Sequence, residues 1–135
     1  MGLFSRPAAD LRDRDYVLTG CPIVAQDDLV VMVDLTVRLG VRPPRDEGSP
    51  VLGYDPDDER TIDAVCVLML RQLGAALPSD ELLVGRARVV EAVEQGLALA
   101  PVGAGITARV SHAEVRSHDP DGVFNHHEFR LVGGS

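Results

Sequence analysis

Four histidines crowd the C-terminal quarter of the chain, His112, His118, His126 and His127, with Asp119, Asp121 and Glu128 between and beside them. Imidazole and carboxylate together hold zinc and other divalent metals, and together they move protons. Metal-binding histidines on a helix recur at i and i+4, and no such pair occurs here. On an extended segment, adjacent His126 and His127 project to opposite faces, so they cannot share one ion. The spacing favours a solvated polar edge over a metal centre, and no cofactor is expected. A small metal- or ligand-binding enzyme domain built on this edge is the alternative reading.

Other candidate chemistry is thinner. DPDD (55–58) and DPDG (119–122) lack the ligand spacing of a calcium loop and read as turns. GAG (103–105) precedes a strand instead of opening a helix, so it is no phosphate loop. No nucleophile elbow and no Cys–His–Asn set is present. Cys21 and Cys66 are far apart and match no metal spacing; Cys66, among Val and Leu, reads as a buried thiol. Nothing in the chain specifies catalysis, and a non-enzymatic protein is expected.

Elements able to position these residues follow from patterning. The 135 residues suit one domain with a real core. Trp is absent and only five side chains are Phe or Tyr, so that core must be Val, Leu, Ile and Ala. The formal charge is −8 and every cationic side chain among the thirteen is Arg. Arg6, Arg12 and Arg14 are interleaved with Asp10, Asp13 and Asp15, which leaves no dense cationic face for nucleic acid or anionic lipid. No apolar run is long enough to span a bilayer and no secretion signal is evident, so a cytoplasmic protein is expected.

Residues 1–15 read as a loose arm, 16–132 as the domain, and 133–135 as a tail. A short strand broken by Gly20 and Pro22 is expected within 16–28. LVVMVDLTVRLGV (29–41) is apolar at every odd position, the period of a half-buried strand. Residues 42–60, rich in Pro, Gly and Asp, predict a long loop. A helix is expected over 61–77, with Ile62, Cys66, Met69, Leu73 and Leu77 as its stripe. Val65, Val67, Leu68 and Leu70 carry its apolar surface nearly all the way round, so it needs cover on more than one side. Pro78 stops it, and Ser79 with Asp80 and Glu81 starts a second helix over 80–100. Leu82, Val89, Val93, Leu97 and Ala100 face one way, with Arg86 in the middle of that stripe. A charge there requires a carboxylate, and Asp34, Asp63 and Glu114 are the candidates for a structural ion pair. A second strand is expected over 106–116, with a bulge near Ser111–His112 where the alternation slips, and a short one follows within 123–132. The fold class is α+β: a small antiparallel sheet packed against two consecutive helices.

The order strand, strand, loop, helix, tight turn, helix, Gly-rich turn, strand resembles the SPFH domain of stomatins, prohibitins and flotillins. The resemblance spans about residues 20–117. It is carried by the alternating strand after Asp27–Asp28 and by Leu70, Arg71, Gly74, Asp80, Glu81, Leu82, Leu83, Arg86, Gly105, Ile106 and Glu114. It implies a non-enzymatic scaffold whose subunits pack side by side, commonly at a membrane. The resemblance does not extend to the family's N-terminal apolar anchor or its long C-terminal charged helix, so any membrane association is expected to run through a partner. The expected partner is a second copy or a larger SPFH relative, and the expected interface is Val67, Leu68 and Arg71.

Overall fold

The computed structural model describes residues 12–41, 56–102 and 105–132. β1 (Arg14–Val24) and β2 (Val30–Val41) form a hairpin, three helices follow, and β3 (Ile106–Ser117) and β4 (His126–Leu131) complete the sheet. The helices are α1 (Pro56–Ala76), α2 (Ser79–Leu83) and α3 (Arg86–Leu99). The sheet is antiparallel in the order β3-β2-β1-β4. The α+β expectation therefore holds, with three helices among the described residues where two were expected.

The period-two pattern sets which side of the sheet is covered. Val31, Val33, Leu35, Val37 and Leu39 of β2 are buried, as are Tyr16, Leu18, Cys21 and Ile23 of β1. β1 is one strand of eleven residues, and the break expected at Gly20 and Pro22 is a register shift between Leu18 and Cys21. Gly20 takes φ +64, and a Cβ there would lie 1.9 Å from the Val123 carbonyl oxygen, so glycine alone fits. Arg14 and Asp15, expected in the arm, belong to β1. In β3, Val110 faces Val37 and His112 faces Thr36, which leaves Ser111 as the extra residue of the expected bulge.

α1 begins at Pro56, five residues earlier than periodicity suggested, so the end of the expected 42–60 loop is helical. Proline suits a first helical turn, and Asp57, Asp58 and Glu59 complement the positive helix start. The remainder of that loop, the arm up to residue 11 and the tail lie outside the described residues. The buried line of α1 is Ile62, Cys66, Leu70 and Gly74, a row at i+4. Met69, Leu73 and Leu77 are half-buried beside it, and Met69 packs where Gly96 of α3 has no side chain. α1 lies over β1, α3 lies over β3, and the two helices pack on each other.

The expected second helix is two. A turn at Val84–Gly85 separates α2 from α3, and a Cβ at Gly85 would meet the Glu81 carbonyl oxygen at 2.7 Å. Leu82, Val89, Val93 and Leu97 are buried as expected. The turn resets the helical phase, so Arg86 opens α3 on its exposed side instead of entering the apolar stripe. Among the described residues no helix is long and apolar enough to cross a membrane.

Gly74 lets α1 approach β1: a Cβ there would lie 2.3 Å from Ile23 Cγ2 and 2.8 Å from the Val24 carbonyl oxygen. Gly74→Ala should therefore lower stability by about 1–3 kcal/mol despite alanine's better helix propensity. Urea unfolding measures this, and an equal or higher midpoint would show that the seam is looser than described.

Candidate functional site

Two polar clusters form, one on each face of the sheet. On the helix face, alternate residues of β1 meet residues one turn apart on α1. Arg14 Nη1 donates to Glu59 Oε1 at 2.7 Å, and the Tyr16 hydroxyl donates to Asp63 Oδ1. β4 brings His127 opposite Leu18 and Phe129 opposite Tyr16. His127 Nδ1 lies 2.5 Å from Asp63 Oδ1 and 3.4 Å from the Tyr16 hydroxyl, while Nε2 lies 2.7 Å from Asn125 Oδ1. Asn125 takes φ 52, a conformation asparagine tolerates better than most residues. Tyr16 is 0% exposed. Burial first, then its bond to Asp63, push its phenol well above the usual range, so it stays a neutral donor. Asp63 and His127 are half-buried at the mouth of this seam.

A Tyr–Asp–His set is also the material of acid–base catalysis. Here both ring nitrogens of His127 are engaged, and the Tyr16 hydroxyl is turned into the protein. The arrangement ties three elements together: β1, β4 and α1. Sequence patterning missed Tyr16 and Asn125. The available signal was an aromatic at an inward strand position, in a chain with few aromatics.

The opposite face carries Asp34. Its carboxylate accepts from Arg116 Nε at 3.0 Å and from the Gly20 N–H at 2.7 Å. Burial pushes the Asp34 carboxyl up, but these hydrogen bonds and the guanidinium charge outweigh it and hold the group below the usual carboxylate range. The expected pairing of Arg86 with Asp34, Asp63 or Glu114 does not occur. Asp34 is taken by Arg116 and Asp63 by Tyr16 and His127, while Glu114 has His112 Nε2 at 3.9 Å. Arg86 needs no buried partner, because it is exposed on the rim of a shallow groove with Val90, Glu91 and Glu94. At the hairpin tip, Asp27 accepts from the Ser79 hydroxyl and N–H at 2.7 and 3.1 Å, fastening α2 to the sheet. The Ser79 hydroxyl, then its N–H, draw the Asp27 carboxyl below its ordinary value.

The histidines do not converge. His126 lies beside Glu128 on the face opposite His127, His112 is exposed on β3, and His118 is exposed beyond it. Among the described residues, no three His, Cys, Asp or Glu side chains are placed to hold a metal ion. Cys21 and Cys66 are buried and unpaired with each other, and burial first, then Asp63, pushes the Cys66 thiol up to about 12, which makes it a poor nucleophile.

The three residues expected at an interface lie on the outer side of α1. Val67 is half-buried, Leu68 is 50% exposed and Arg71 is exposed. Arg71 also borders a hollow with Pro22, Val24 and Val30, where β1 runs on past the end of β4. Comparison with protein-family models and with curated proteins gives no match to the chain.

Tyr16→Phe should cost about 1–2 kcal/mol, because it removes a donor from a charged acceptor while preserving the ring. Loss below a few tenths of that in urea unfolding would show that the hydroxyl contributes nothing. A lowered carboxyl pKa gives stability that is full above the unfolded value, about 4, and lost as pH falls through the folded one. The stability advantage of the parent over Asp34→Asn should thus be constant near neutrality and shrink as pH drops from about 5 toward 3. A difference independent of pH would rule out the Asp34 carboxylate as its source.

Proposed function

We propose that the chain is a non-catalytic assembly module of the SPFH type, joining copies of itself or a larger SPFH relative through the outer side of α1. The observation that supports this is Leu68. It sits mid-helix in α1 and still exposes half its surface. The sheet and α3 cover the row Ile62, Cys66, Leu70 and Gly74, while Val67 and Leu68 lie off that row. Single exposed leucines are common on monomers. Here Leu68 has half-buried Val67 beside it and Arg71 one turn on, an apolar centre with a charged rim. Covering the remaining surface of the two apolar side chains is worth about 1–2 kcal/mol. That is a contribution to a contact, not a whole interface, so a larger area must close with it.

The SPFH resemblance supplies the class of function, and the α+β architecture is compatible with it. A membrane role would run through the partner. The alternative, a metal- or ligand-binding enzyme, gains nothing from the separated histidines or from a His127 ring engaged at both nitrogens.

Leu68→Glu is the test. It changes a half-exposed side chain, so thermal stability should fall little, while sedimentation velocity at tens of micromolar should show a smaller particle than the parent. A parent that is already monomeric at that concentration refutes the proposal, as does an assembled particle that Leu68→Glu leaves unchanged.

A further inference from the structure

The sheet ends on β3, and the two halves of that strand's outer edge differ. In the first half, the Val110 N–H is met by Glu94 Oε2 of α3 at 3.1 Å, and the extra residue Ser111 kinks the edge. Bulges and covering groups of this kind are how proteins blunt an edge. From His112 to Ser117, no described residue outside the sheet hydrogen-bonds the strand's backbone. An edge of this length that no described residue pairs is a template for another strand.

Its side chains say which strand. On the face away from the helices, His112, Glu114 and Arg116 alternate; toward the helices stand Ala113 and Val115. We infer that β3 pairs antiparallel with β3 of a second copy about a two-fold axis at Val115, joining two four-stranded sheets into one. The inference rests on the self-assembly reading and adds a second contact to it, on the flank opposite α1.

Charge fixes the register. Only registers that set like-facing residues opposite one another keep the helices of both copies on one side. Centred on Val115, the pair places Glu114 against Arg116 of the second copy, twice by symmetry, and Val115 against Val115. Centred on Glu114, it would set acid against acid, which is unfavourable. Centred on Ala113, it would run into the Ser111 bulge. Glu114 gains most from the first arrangement. Within its own sheet it lies opposite Asp34, one acid beside another, with His112 Nε2 3.9 Å from its carboxylate. Arg116 uses Nε and Nη2 on Asp34, with Asp119 and Glu114 of its own chain also near the guanidinium. An apolar hollow lined by Leu29, Val31, Leu83, Ser117 and His118 opens at the same end of β3, where a second copy would narrow it.

Glu114→Arg tests this on the full chain. Within the monomer the new cation faces Asp34, so the fold should keep its melting temperature. Across the pair it meets Arg116, so the sedimenting mass should fall and the amides of 112–117 should lose hydrogen-exchange protection. Adding Arg116→Glu reverses both charges and should restore the larger particle. Val115→Cys should cross-link to its own copy under mild oxidation, since Cys21 and Cys66 are buried. The contact is overturned if Glu114→Arg leaves mass and exchange unchanged. It is equally overturned if the charge reversal fails to restore the mass and Val115→Cys stays uncross-linked. If Leu68→Glu reduces the mass and Glu114→Arg does not, the assembly reading stands and this contact falls; a parent that is monomeric throughout overturns both.

Discussion

The close approach of α1 to β1 organises the rest of the fold. At one end of the seam Gly74 removes the side chain that would strike Ile23 and the Val24 carbonyl. At the other, Arg14 meets Glu59. Between them Tyr16 spans from the buried face of the strand to Asp63, and His127 reaches the same carboxylate from β4. A helix rises about 1.5 Å per residue and a strand about 3.3 Å, so four residues of α1 nearly match two of β1. That match lets Glu59 and Asp63 meet Arg14 and Tyr16 in turn. With α1 fixed, α3 finds its place through Gly96, into which Met69 packs, and so covers the β3 side of the sheet.

Tight closure on one side leaves definite surfaces on the others. The i+4 row that fits the sheet cannot also bury Val67 and Leu68, which lie off it. At the far flank α3 reaches the β3 edge with Glu94 and extends no further. The short α2, pinned by Asp27 and Ser79, does not hydrogen-bond the edge beyond it. These two flanks, the outer side of α1 and the half of the β3 edge that no described residue covers, are set by the same packing that makes the core.

Much of this was legible in the residues, for local reasons. Alternation in β2 named its buried face, and Val31 to Leu39 occupy it. The slip in phase at Ser111–His112 announced the bulge before any pairing was known. Pro78 and Ser79 marked the turn between helices. Other features escaped because local signals conflict or are silent. A continuous helix over 80–100 placed Arg86 among leucines and valines, whereas Gly85 tolerates a turn that rephases everything after it. The stripe through Met69 and Leu73 was half right, since glycine at 74 carries no hydrophobic weight yet defines the line of closest approach. The histidine-rich segment read as a solvated polar edge; His112, His118 and His126 are exposed, while His127 turns onto Asp63.

The sequence alone determined the fold class, most of each strand, the inward face of β2 and the aliphatic character of the core, because each depends on residues a few positions apart. Only the tertiary structure decided who meets whom. Asp34 chose Arg116 over Arg86, Asp63 became the shared acceptor of Tyr16 and His127, and Glu114 was left beside another acid. Such pairings join residues tens of positions apart, and they are selected by strand register and helix placement, which no periodicity encodes.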